Sequence, residues 1–125
     1  MTIHGAIAKH QLDNNASVVQ QVIRDPESAA ISNKLKALLR IAAKVQAGGK
    51  QVTEKEIEDA RNEGATDIEI HDTVLIAALF CLYNRYVDGL SAVTPTDPNF
   101  YKGLAERISK GYQRLPQGYD HLKKK

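Results

Sequence analysis

Ten apolar residues stand in a row at Val74-Leu75-Ile76-Ala77-Ala78-Leu79-Phe80-Cys81-Leu82-Tyr83. The run belongs to a longer stretch that opens on Thr66-Asp67-Ile68-Glu69, a threonine with a glutamate three residues on, the pairing that closes the free amides of a helix start. A helix is therefore expected from Asp67 to about Leu90. Its middle is apolar on every side. Such a helix is surrounded by other helices of its own chain or covered at a subunit contact. Ten residues are about half a membrane span, so a membrane is not the expected partner.

The rest of the chain reads as helices arranged around this one. His4 to Leu12 is a short Ala-rich helix broken by Asp13-Asn14-Asn15, and Ala16 to Arg24 a second, with Val18, Val19, Val22 and Ile23 on one face. Asp25-Pro26 stops it, because the residue before a proline avoids the helical region. Ser28 to Ala47 is longer, with Ile31, Leu35, Leu38, Leu39, Ala42 and Val45 as its apolar stripe, and Gly48-Gly49 closes it. Thr53 to Glu56 is another capping box, opening a polar helix that ends at Gly64. Asp97-Pro98 starts the last helix, which runs to about Gly111. The expectation is all-α: five or six helices around a buried central helix, as one domain over residues 1–112. Residues 113–125, with Pro116 and Gly118, form an irregular tail.

With 125 residues, one core is supportable and two are not. A net charge of +2, no tryptophan and 6% aromatic residues argue against nucleic acid. No basic start with an apolar segment behind it marks a secretory signal. The single cysteine suits a reducing compartment, so the expected location is cytoplasmic. No pair of histidines has the i,i+3 or i,i+4 spacing of a helical metal site. No phosphate-binding glycine loop is present. Neither a metal nor a cofactor is expected.

Past its apolar run, the central helix carries Cys81, Asn84, Arg85 and Asp88 within about a 100° arc. They could line a small pocket, with Arg85, one turn from Cys81, tuning the thiol. The same residues are read more simply as an inert buried thiol and an Arg85–Asp88 pair that solvates the helix end. Earlier on the same helix, Glu69 and His71 are candidate acid–base groups. Glu69 is also the third residue of the Thr66 cap, which accounts for it without any catalysis.

The segments Leu38-Leu39-Arg40-Ile41-Ala42, Ile70-His71-Asp72-Thr73-Val74-Leu75-Ile76-Ala77-Ala78-Leu79-Phe80 and Tyr83-Asn84-Arg85-Tyr86-Val87-Asp88-Gly89-Leu90 together resemble the peroxidase-related branch of the alkylhydroperoxidase D-like superfamily. That superfamily includes carboxymuconolactone decarboxylase. The resemblance covers nearly the whole chain and is most specific over Ile70 to Leu90. It implies an all-helical fold and a homo-oligomer, often a trimer or hexamer.

Peroxidase members of that family carry a Cys-x-x-Cys-x-x-x-His motif. His4-Gly5-Ala6-Ile7-Ala8 resembles its histidine end, and the second cysteine would fall immediately before Met1. The resemblance thus implies a shortened start, with His4 retained and the redox pair absent. A dithiol peroxidase needs one thiolate to attack and another to close the disulfide, and Cys81 cannot do both. A fainter match sets Cys81 and Asn84 at the motif's two cysteine places and Asp88 at the histidine place. Glu69, twelve residues before Cys81, then matches the family's acidic residue, as in a degenerate internal repeat.

Three functions follow as expectations. The first is a peroxidase-related helical oligomer with weak or no thiol peroxidase activity. The second is a decarboxylase-like enzyme in which His71, His4 and Arg85 act on a small carboxylate held by Arg85. The third is a non-enzymatic oligomeric module that binds a small molecule.

Overall fold

The computed structural model describes residues 3–111 and is all-helical, with no strand among those residues. In chain order the helices are α1 (Ile3–Leu12), α2 (Ser17–Arg24), α3 (Asn33–Ala47), α4 (Glu54–Asn62), α5 (Asp67–Gly89) and α6 (Pro98–Ile108). Short 3-10 turns at Asp13–Asn15 and Gly49–Gln51 join α1 to α2 and follow α3. The expected irregular tail at 113–125 lies outside the described residues. Two compact units divide the described residues: 21–93 form one, and 3–20 with 94–111 form the other.

Local signals act where the sequence puts them. Glu56 Oε2 accepts the Thr53 amide at 2.8 Å, and Glu69 Oε2 accepts the Thr66 amide at 2.8 Å. The Thr66 hydroxyl in turn accepts the Glu69 amide at 3.2 Å, completing its box. Asp97 caps α6 by accepting the Asn99 amide at 2.9 Å. Gly64 follows α4 at φ +86. Ala65 N–H reaches Ala60 O and Gly64 N–H reaches Arg61 O, both at 2.9 Å, the paired bonds of a Schellman ending.

One helix start is corrected. The helix expected from Ser28 begins at Asn33, because Ser32 is extended and its Oγ accepts the Leu35 amide at 3.2 Å. A serine that takes a helix-start amide defines the start. The residues before it bond locally instead: the Glu27 amide to Asp25 Oδ1 and the Ala30 amide to Gln21 Oε1, both at 3.0 Å. The stripe on α3 also shifts. Ala37, Leu38 and Ile41 are its buried residues, while Leu35 is exposed.

Unit 21–93 packs α3 against α5, with α4 as the return leg between them. Its core is Ala37, Leu38, Ile41, Ala60, Ala65 and Ile70, flanked by Val45, Val52, Ile57 and Val74. α3 and α5 run in broadly the same direction. Lys34 meets Glu69 near both starts, and Gln46 shares a groove with Asn84 near both ends. In the other unit α1 packs on α6 through Ala6, Ile7, Tyr101 and Ala105, and the Tyr101 hydroxyl donates to Pro95 O.

The buried central helix is the larger correction. Along α5 only Ile70 is buried. Val74, Ala77 and Cys81 are half-buried, while Leu75, Ile76, Leu79, Phe80, Leu82, Tyr83, Tyr86 and Val87 are exposed. In unit 21–93 α5 rests on α3 along one side. Twenty-three residues span about 34 Å against about 22 Å for the fifteen of α3. The apolar perimeter of α5 exceeds what the unit's own helices cover.

Candidate functional site

Cys81 and Asn84 face one groove, as their helical spacing requires. The groove lies between α3, which offers Leu39, Ala42, Ala43 and Gln46, and α5, which offers Ala77, Phe80, Cys81 and Asn84. Val22 and Pro26 close its side, and its volume is about 350 Å³. The walls are aliphatic and aromatic, with Gln46 and Asn84 as the polar groups. Cys81 is its one titratable lining residue and is half-buried.

Arg85 is not aimed at the thiol. Its Nη1 donates to the backbone carbonyl of Cys81 at 3.4 Å, one turn back on the same helix. The Arg85–Asp88 pair is not formed either: among the described residues neither belongs to an ion pair. Both side chains are exposed. Of the four polar residues grouped by helical angle, two line the groove and two face solvent. No motif marks Gln46, whose place in the groove depends on how α3 and α5 align.

Glu69 and His71 do not form an acid–base couple. Two residues apart, they point about 200° from one another around the helix. Lys34 Nζ donates to Glu69 Oε1 at 2.7 Å, and Thr66 supplies its amide and hydroxyl to the other oxygen. The Lys34 bond first, then the Thr66 amide, hold this carboxyl down at about 2. A carboxylate so strongly held as an anion is a poor proton acceptor at neutral pH. Lys34 lies 35 residues away, beyond the reach of any local spacing. His71 Nδ1 stands 3.0 Å from Asp72 Oδ1, and both side chains are exposed. His4 is exposed on α1 in the other unit.

That other unit has a groove of about 370 Å³ lined by Ala6, Tyr101 and Ala105, with Lys9, His10, Asp13 and Lys102 among its polar residues. Among the described residues, no group of three or more His, Cys, Asp or Glu side chains is placed to hold a metal ion. No helix among them is long and apolar enough to cross a membrane.

The Cys81 groove can take up an apolar group and offer two amides to a polar one. Among the described residues its lining sets no base beside the thiol, and the chain has no second cysteine. Neither a protein-family model, nor a curated protein, nor a solved structure matches the chain.

Proposed function

We propose that this chain is a self-associating helical protein of the alkylhydroperoxidase D-like type, in its peroxidase-related branch, with little or no thiol peroxidase activity of its own. The resemblance over Ile70 to Leu90 supports the lineage. One cysteine in 125 residues supports the loss of dithiol chemistry. The observation that carries the reading is the outer side of α5, where Leu75, Ile76, Leu79, Leu82, Tyr83 and Tyr86 are exposed. An apolar surface of that extent marks an interaction site. On this reading the oligomer is a trimer or hexamer of identical chains, housed in the cytoplasm, where a free thiol stays reduced.

The groove beside Cys81 supports a second role in the same assembly, binding a small, largely apolar molecule between Leu39 and Phe80. A decarboxylase-like reaction at Arg85 has less behind it, since that guanidinium bonds its own helix.

Light scattering on the purified protein at micromolar concentration tests the assembly, and peroxide turnover with a dithiol reductant tests the chemistry. The expected results are a multimer and near-background turnover, unchanged in Cys81→Ser. A monomer overturns self-association. Robust turnover that disappears in Cys81→Ser makes the chain a thiol enzyme.

A further inference from the structure

The exposed side of α5 is patterned, not merely apolar. Ile68, Leu75, Leu79, Leu82 and Tyr86 fall at spacings of seven, four, three and four, so they share one stripe about 60° wide. All five are exposed. Ile76, Tyr83 and Leu90 recur at seven-residue intervals beside that stripe and are exposed too. The opposite side carries Ile70, Val74, Ala77 and Cys81, the residues turned toward α3 and its groove. α5 thus has two apolar seams, and its own unit occupies one of them.

A three-four repeat is the pattern of a helix that packs on another helix nearly parallel to its axis. We propose that two copies of this chain pair through their α5 helices, antiparallel, about a two-fold axis between Leu79 and Leu82. Leu79 then packs on Leu82 of the partner subunit, and Leu75 on Tyr86 of the partner subunit. The proposal rests on the self-association reading and names its contact.

Two observations select a second copy in this orientation. The first is area. The two tyrosines carry roughly 200 Å² each and the six leucines and isoleucines somewhat less, so at these exposures the eight residues leave on the order of 800 Å² uncovered, and a stable interface takes about 800 Å² from each partner. The second is charge. Asp72 occupies the remaining place in the stripe, four residues after Ile68 and three before Leu75. Parallel pairing in register sets two Asp72 carboxylates face to face, which is repulsive. Antiparallel pairing sets Asp72 opposite Gly89 of the partner subunit, where there is no side chain to meet. Under a two-fold axis the stripe is its own complement. The contact also restricts the assembly: an isolated trimer has no two-fold axis, so of the trimer and the hexamer the contact admits only the hexamer.

Crosslinking in a Cys81→Ser background tests the register. Protomers carrying Leu79→Cys are mixed with protomers carrying Leu82→Cys and oxidised with copper phenanthroline. A 79–82 heterodimer is expected, with no homodimer from Asp72→Cys alone. Leu79→Lys, at an already exposed position, is expected to halve the particle mass by light scattering with helicity by circular dichroism unchanged. A particle that stays multimeric but is an isolated trimer, keeps its mass in Leu79→Lys, or crosslinks through Asp72→Cys overturns this contact and leaves self-association standing. A monomeric parent protein overturns both.

Discussion

The Lys34 ammonium lies 2.7 Å from the Glu69 carboxylate, joining the first turn of α3 to the N-terminal cap of α5. One carboxylate therefore closes a helix start with one oxygen and ties that start to a neighbouring helix with the other.

This bond sets a pH dependence. Glu69 is held at about 2, below its ordinary 4.5. A carboxyl depressed in the folded state adds stability that is complete above its unfolded value and is lost as pH falls through the folded one. Glu69→Gln is expected to lower Tm at pH 7, with the gap to the parent closing between about pH 4.5 and pH 2. Asp25 and Glu56 are also held low, by Ser28 and Thr53 respectively, so the parent's own acid limb is steeper than Glu69 alone dictates. The difference between the two melting curves against pH is the measurement. A gap that persists at pH 2 removes the assignment.

The ends of α4 and α5 are built alike but not from like residues. After α5, Ser91 N–H reaches Asp88 O and Ala92 N–H reaches Val87 O, both at 2.9 Å, the same paired bonds that follow α4. The left-handed residue is Gly64 after α4 and Ser91, at φ +52, after α5. A side chain costs about 1 kcal/mol in that conformation. Ser91→Gly should raise stability by about 0.5–1 kcal/mol, and Gly64→Ala should lower it by about 1 kcal/mol. A Cβ at Gly64 would meet nothing within 4 Å, so the cost there is conformational alone. Denaturant midpoints at constant m-value read both.

Ile41 is 0% exposed, at the centre of the α3–α4–α5 core. Ile41→Ala should cost about 2–5 kcal/mol and Ile41→Val about 0.5–1.5 kcal/mol. Leu35→Ala, on the same helix but exposed, should cost far less. Equal losses at the two positions would contradict the orientation of α3.

Arg85 donates to a backbone carbonyl and not to the thiol, so Arg85→Gln should change the native-state labelling rate of Cys81 by less than about twofold. Being half-buried, Cys81 should react with a maleimide more slowly in the folded protein than in denaturant. A tenfold fall in Arg85→Gln would restore the guanidinium as a tuning group.

What could be read in advance follows the range of the forces. The caps at Thr53, Thr66 and Asp97 depend on residues two or three positions away, and their spacing alone predicts them. The placement of Cys81 and Asn84 on one face is helix geometry and was equally open to reading. The Lys34–Glu69 pair and the sharing of one groove by Gln46 and Asn84 depend on how two helices align, which neither helix encodes alone. The early start expected for α3 failed because Ser32 captured the Leu35 amide. The apolar run of α5 showed that the helix needs cover on all sides, and hydrophobicity does not say which chain provides it.

The division of the chain has a consequence for synthesis. Residues 21–93 are one uninterrupted stretch, whereas the other unit needs both α1 and α6. At about 5–20 residues per second, Ala6 and Ile7 leave the ribosome roughly 5–20 s before Tyr101 and Ala105 do. The middle of the protein can be finished while α1 is still waiting for its mate. A chain interrupted before α6 would carry a completed unit and an unpaired, sticky first helix, the kind of nascent species on which a chaperone acts.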